Sequence, residues 1–357
     1  MRAAPVLLVS VVAFAALEGA VFHTGLYPWI LNPDASTGDL ETTLRDERDR
    51  PKNGPQILGI GDSRMLLESR LANQHTPESG YTFGNIATAG ASPRAWFYML
   101  RDTDPAARQY HAIVIAVESY DDLDTGDDES NNAADLSYLA GRLRLSDLWE
   151  YSRSYQDTAQ QWKAARGILL KGLVYKRDLE DLLLHPGNRV LMAKFAHRDS
   201  FKWHYNYTGP PESLAAFHID WKTQTLTAPP NADPEVVRRL KSRLLYPLPP
   251  QTGGQNRYMK YWLGKIYEHY RDSPTRLIFL RLPRGGFVRP DPPPSNPHSS
   301  VRELAAHPNV TVIDEHFFDS LETPELFRDE MHLNGPGMDR FSLMLTQEVS
   351  RILGHPR

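Results

Sequence analysis

The chain has 357 residues, 41% hydrophobic and 24% charged, with a formal net charge of -4. That is enough for one large domain or two smaller ones with a real core, and the absence of a long basic run removes the electrostatic footprint of a nucleic-acid binder. There is no cysteine, which excludes disulfides, thiolate metal sites and a cysteine nucleophile. The 13 histidines are scattered, and no phosphate loop, dinucleotide glycine triplet or His-Glu-x-x-His occurs, so neither a metal nor a cofactor is expected.

In chain order, residues Pro5 to Phe22 come first, apolar except for Ser10, Glu18 and Gly19. About 18 such residues just span a hydrocarbon core as a helix. Arg2 precedes them, and Tyr27 and Trp29 follow, before acidic Asp34, Asp39 and Glu41. A positive flank inside and an aromatic belt outside predict an N-in anchor over residues 1–25 with an exported body. The alternative is a cleaved signal segment, since Ala13-Phe14-Ala15 has the small-residue pattern of a cleavage site. Residues 26–54, rich in Asp, Arg, Pro and Gly from 33 onward, read as an exposed linker.

A βα rhythm then begins. Apolar runs at 57–60, 81–87, 113–117, 276–282 and 310–313 predict five strands, with helical stretches at 65–72 and 94–100. Five apolar runs separated mostly by helical segments, that at 113–117 fully apolar, argue for an α/β fold, a three-layer α/β/α sandwich around a parallel sheet. Its body would be residues 55–125 and 270–357. Between them, residues 126–269 read as a mostly helical insertion over the active face, with helices at 136–148, 155–170 and 234–245. The aromatics of this insertion, Trp149, Trp162, Trp203, Tyr205, Tyr207 and Trp221, offer a carbohydrate platform or, the reading preferred on burial statistics, internal packing.

Two short strings carry chemistry. Gly61-Asp62-Ser63-Arg64 follows the first strand, so Ser63 stands at a strand's carboxyl end, where ligands of such sheets bind. Asp329-Glu330-Met331-His332 lies near the other end. A serine hydroxyl attacks an ester only when an imidazole takes its proton and a carboxylate holds the imidazole's tautomer. His332 and Asp329 supply both at a spacing of three. Asp62 reads as a turn or cap residue, and Asn334 to Gly337 as the start of the last helix. Asp314 and His316 form a rival acid–base pair after the last strand.

These strings resemble the SGNH/GDSL hydrolase family, which carries Gly-Asp-Ser near the amino end and Asp-x-x-His near the carboxyl end. The resemblance covers roughly residues 55–125 and 270–357, and it implies an SGNH hydrolase-like, flavodoxin-like sandwich with Ser63, Asp329 and His332 as catalytic triad. Asn85-Ile86-Ala87-Thr88-Ala89-Gly90 is similar to the second family motif, with Ala87 in the first glycine position. It implies that the Gly90 N–H joins that of Ser63 in an oxyanion hole. The third motif, Gly-x-Asn-Asp, is replaced by Glu118-Ser119-Tyr120-Asp121, leaving Ser119 as a weaker donor and Arg64 and Arg284 as substrate-binding cations. An anchor, an exported body and a degenerate third motif are similar to membrane-anchored SGNH proteins that work with membrane-bound O-acyltransferases on bacterial polysaccharides. That resemblance implies an O-acyl, chiefly acetyl, glycan substrate at the periplasmic face of the inner membrane and a membrane-bound O-acyltransferase partner. The other implied role is a catalytically silent scaffold or glycan-binding component.

Overall fold

Among the described residues, seven strands mark out the architecture: β1 (Gln56–Ile60), β2 (Thr82–Asn85), β3 (Ala112–Val117), β4 (His218–Asp220), β5 (Thr225–Thr227), β6 (Arg276–Arg281) and β7 (Val310–Val312). The structure, a computed structural model, describes residues 3–33, 35–75, 79–122, 129–192, 213–245, 253–290 and 295–354. The chain divides into two compact units, Met1–Asp49 with Asp127–Asn206, and Arg50–Gly126 with Tyr207–Arg357.

The second unit holds a five-stranded, wholly parallel sheet in the order β2-β1-β3-β6-β7. Strands β1 and β3 are buried along their whole length, which explains why their sequences lack polar alternation: a strand covered on both faces has no solvent side. The surrounding helices fall into two contacting sets. Ser63–Glu68 and the 3-10 turn Ala72–His75 pack with Gly335–Leu353, whereas Pro93–Thr103 packs with Gly253–Tyr270 and that helix with Ser300–Leu304. The β1-to-β2 connection runs one way along the sheet and the later connections run the other, so right-handed crossovers place the two sets on opposite faces. The direction reverses between β1 and β3, and a crevice is expected there, beyond the carboxyl ends.

The strands lie within two residues of the apolar runs that predict them. The second strand stops at Asn85 because the Asn85 side chain captures the Ala87 N–H at 2.8 Å, although Ile86 and Thr88 still bond to Gly59 and Gly61 carbonyls. The segment 126–269 is not one insertion. Residues 127–206 join the amino-terminal unit, and 207–269 join the sheet unit. There they contribute the unpredicted antiparallel β4–β5 hairpin, helix Pro234–Leu240 with its π-helical extension Lys241–Leu245, and most of Gly253–Tyr270. The helix expected at 136–148 is instead Glu129–Leu139, a 3-10 turn Leu145–Asp147 and Leu148–Arg153. Packing does not account for two of the aromatics, because Trp149 and Trp162 are 64% and 73% exposed. Trp203, Tyr205 and Tyr207 lie outside the described residues.

The amino-terminal unit starts with helix Ala3–Phe22, whose Pro5–Phe22 stretch is long and apolar enough to cross a membrane and is largely unburied. Its one acidic side chain is not left free: Glu18 is buried and accepts the Gly172 N–H at 3.1 Å. Phe22, Tyr27 and Tyr175 form an aromatic cluster at 4.9–5.7 Å between ring centroids, with Leu31 and Ala140 beside it. Residues 26–54 are not an exposed linker. They hold the turn Tyr27–Ile30 and a 14-residue helix, Ser36–Asp49, that buries Leu40 and Leu44. Only two leucines at i and i+4 mark that helix in a strongly charged stretch, so composition hides an amphipathic stripe. It packs on Glu129–Leu139, and a Cβ at Gly38 would overlap the Asn32 carbonyl.

Candidate active site

Ser63 owes its place to Gly61 and Asp62. The chain leaves β1 through Gly61, where a Cβ would stand 2.7 Å from Met65 Cβ and 3.2 Å from the Ala116 carbonyl oxygen. Asp62 then caps helix Ser63–Glu68, its carboxylate accepting the Arg64 N–H at 2.9 Å. Ser63 is therefore the first helical residue, where a backbone N–H has no intrahelical acceptor. Among the described residues that N–H has no other partner. Burial opposes the Asp62 charge, but the Arg64 charge and hydrogen bonds, with His332 adding to them, hold its carboxyl below the usual range. The Arg64 guanidinium, buried, lies 2.6 Å from Asp62 Oδ2 and 3.7 Å from Glu118.

Ser63, His332 and Asp329 are brought together. Ser63 Oγ lies 3.0 Å from His332 Nε2, and His332 Nδ1 lies 3.0 Å from each Asp329 carboxylate oxygen. Asp329 Oδ1 also accepts the N–H groups of Met331 at 3.0 Å and His332 at 2.8 Å. Burial would raise the Asp329 pKa, yet the His332 hydrogen bond and charge and these backbone donors carry it below the ordinary value, so the acid is ionised. The turn is pinned at its base. Arg328 N–H donates to the His332 carbonyl at 3.0 Å, Phe327 and Leu333 form an antiparallel bridge, and Asn334 N–H donates to Leu326 at 2.8 Å. Asn334 also caps helix Gly335–Leu353 through Gly337 N–H.

The oxyanion side is only partly built. Gly90 has φ +68 and open space around a notional Cβ, so the backbone conformation, not crowding, asks for glycine there. Its N–H has no partner among the described residues. Asn85 is structural: its Nδ2 donates to Met65 O at 3.1 Å and Ser69 Oγ at 2.9 Å, locking the end of the Ser63 helix. Ser119 Oγ accepts the Asp121 N–H at 3.0 Å, which leaves its proton available to donate. Asp62, Arg64, Ala91, Trp96, Ser119 and Met259 line one cleft of about 40 Å³, so the loops after β1, β2 and β3 do converge. Arg284 is placed otherwise. Its guanidinium is held by Glu322 at 2.6 Å, with Asp319 at 3.4 Å, and it is an ion-pair partner and not a free cation for substrate.

Sequence reading misses three features here. Gly285, with φ +143, packs so closely on the turn that carries Asp329 and His332 that a Cβ would stand 2.5 Å from the Glu330 carbonyl oxygen. Its only signal is the Gly285-Gly286 pair after a strand. Glu118 accepts from Arg243 at 2.6 Å, tying the end of β3 to the π-helical turn; nothing local predicts a partner 125 residues away. Glu68, one turn beyond Arg64, is wholly buried, and its carboxylate oxygens have no well-formed hydrogen bond, the Leu333 backbone N–H being a nearby donor. Burial pushes its carboxyl well above the ordinary range, against the pull of Arg64. The rival pair dissolves: His316 is exposed and contacts Asp319 at 2.8 Å, while Asp314 accepts the His316 backbone N–H. Among the described residues no three His, Asp or Glu side chains are grouped to hold a metal. Comparison with protein-family models gives no match, and comparison with curated proteins gives none.

Proposed function

We propose that this chain is an SGNH-type serine esterase or O-acyltransferase, anchored in a bacterial inner membrane by its first helix, that acts on O-acyl groups of an extracytoplasmic glycan. The observation that carries the reading is the continuous relay Ser63 Oγ–His332 Nε2 at 3.0 Å and His332 Nδ1–Asp329 at 3.0 Å. The β2-β1-β3-β6-β7 order, with Ser63 at the point of reversal, supports the flavodoxin-like sandwich of that family.

Ser63 Oγ attacks the acyl carbonyl as its proton passes to His332 Nε2, and the carbonyl electron pair moves onto oxygen. The ionised Asp329 stabilises the imidazolium and keeps Nδ1 protonated throughout. The N–H groups of Ser63 and Gly90 receive the oxyanion. Collapse expels the alcohol oxygen, which leaves with the proton from His332, and an acyl-Ser63 ester remains. Water or a glycan hydroxyl then gives its proton to Nε2 and attacks the ester carbonyl; collapse breaks the bond to Ser63 Oγ, which takes that proton back from Nε2, and the acyl group leaves on the new oxygen. Acetyl is the acyl group implied by the likeness of the two strings to polysaccharide-modifying SGNH proteins. A membrane-bound O-acyltransferase is the partner that would supply or share such a group.

The second reading, a silent SGNH-fold scaffold or glycan-binding component, draws on the loop after β3. Its Asp121 and Asp122 accept from Arg302 and Ser300, and it presents no side-chain amide. A fluorophosphonate probe separates the two. Labelling of the full chain that disappears in Ser63→Ala, together with altered acetylation of the glycan, is expected for the enzyme; a folded chain that never labels and a Ser63→Ala strain with unchanged acetylation would sink it.

A further inference from the structure

The amino-terminal unit contains a second polar cavity. It has about 200 Å³ of free space and is lined by Gly25, Pro28 and Trp29 from the segment after the apolar helix, Glu41, Arg45 and Arg48 from helix Ser36–Asp49, and Gly141 and Arg142. That is below the roughly 300–1,000 Å³ of pockets that enclose drug-sized ligands, and is headgroup-sized. Its three guanidiniums are not equivalent. Arg142 is already matched, gripping Glu41 through Nε at 2.7 Å and through a second, Nη2 contact. Arg48 pairs with Asp49 at 3.2 Å, both more than 60% exposed, an arrangement that exchanges freely with solvent and ligands. Arg45 has no ion-pair partner among the described residues, and its Nη2 is shielded from solvent with no hydrogen bond. Arg45 itself is half-buried at the cavity wall; a guanidinium donor without an acceptor is uncommon in folded proteins, and a small turn of the side chain brings it onto an anion with several oxygens.

The cavity's position narrows the anion. Gly25, Pro28 and Trp29 begin three residues after Phe22, the end of the apolar helix. Leu26 and Trp29 are 67% and 65% exposed, and an exposed tryptophan at the end of a span belongs at headgroup depth. We propose that this cavity binds a phosphate ester at the membrane surface, with the Arg45 fork on the phosphate oxygens, Arg48 closing over them and Trp29 against the attached group. The proposal rests on membrane insertion of helix Ala3–Phe22 and is independent of the chemistry at Ser63.

The test uses the full chain in a non-ionic detergent, titrated with phosphatidylglycerol and read by native mass spectrometry and Trp fluorescence. One lipid per chain is expected. Arg45→Gln should weaken binding by about tenfold or more, as loss of a charge-assisted, forked contact does, and Arg45→Lys should fall between. Circular dichroism and Ser63 probe labelling unchanged from wild type would show that these variants fold. Competition by glycerol phosphate identifies a soluble phosphate ester, and competition by inorganic phosphate the bare phosphate group, as sufficient ligand; resistance to both, with binding lost in Arg45→Gln, identifies the lipid, and each of these supports the site. Lipid retention that is equal in wild type and Arg45→Gln, with no response to either phosphate, overturns it.

Discussion

The loops that leave β1 and β3 occupy equivalent places, side by side at the carboxyl edge where the winding of the sheet reverses, and they use their polar groups in opposite ways. After β1, the Ser63 side chain and N–H both point to unfilled chemistry, with Asp62 and Arg64 bonded to each other behind them. After β3, the polar groups turn back into the protein. Tyr120 OH donates to the Ile313 carbonyl at 2.8 Å, Asp121 accepts from Arg302 at 2.6 Å, and Asp122 accepts from Ser300 N–H and Oγ at 2.9 and 3.0 Å. Topology thus offers two sites at the crevice and local hydrogen bonding accepts one. A strand end becomes a reactive site only where its donors and acceptors are left without structural partners.

If the β1 side holds all the covalent chemistry, Ser63→Ala and His332→Ala should each lower esterase turnover by at least about 10⁴-fold, the range seen when a triad member is removed. Turnover on a model acetyl ester measures it, and residual activity within tenfold of wild type would break the contrast between the two loops. Asp329→Asn should cost about as much by a different route, since an amide that donates to Nδ1 turns the imidazole to the wrong tautomer. Its signature is a loss in kcat with the Ser63–His332 geometry kept.

Next in size is Gly285→Ala. A Cβ 2.5 Å from the Glu330 carbonyl oxygen and a φ of +143 should strain the fold by about 1–3 kcal/mol and displace the turn carrying His332. Lower thermal stability together with lower kcat is expected; an unaltered kcat would detach that loop from catalysis. Ser119→Ala sharpens the comparison from the β3 side. With the Ser63 and Gly90 N–H groups as the main donors, loss of the Ser119 hydroxyl should cost less than about tenfold in kcat. A loss of the 10²–10³ typical of an oxyanion donor would move Ser119 into the hole and give the β3 loop a share of the chemistry.

What the sequence made legible follows the same division. The sheet could be read because β1 and β3 are apolar along their length, and the meeting of Ser63, His332 and Asp329 because they sit in two short strings. Helix Ser36–Asp49 could not, since its stripe is Leu40 and Leu44 amid charges. The fate of Arg284 was equally hidden: a cation near a strand end looks free until a carboxylate 38 residues on, Glu322, is folded against it. Long-range ion pairs carry no local pattern, so a reading that turns on one, as that of Arg284 does, has no signal in the sequence.

The smallest effect tests what the β1 side costs to build. Glu68 and Asp122 are both buried carboxyls whose pKa is raised first by burial, but Asp122 is held by the Ser300 N–H and hydroxyl, whereas Glu68 has only the weak approach of the Leu333 N–H. Above about pH 4.3, the ordinary glutamate value, the unfolded chain releases the Glu68 proton while the folded chain keeps it. The unfolded state then binds fewer protons, so stability falls as pH rises, until the folded pKa is passed. Glu68→Gln keeps the shape and removes the titration. Its melting temperature should exceed that of wild type by a few degrees at neutral pH, with the gap closing below about pH 4. Asp122→Ala should do the reverse at neutral pH, since it strips the acceptor from the Ser300 N–H and hydroxyl. Melting of the full chain at both pH values measures both variants. A Glu68→Gln protein less stable than wild type at neutral pH would mean that the carboxylate is ionised and paired with Arg64, and the cost assigned to the β1 side would vanish.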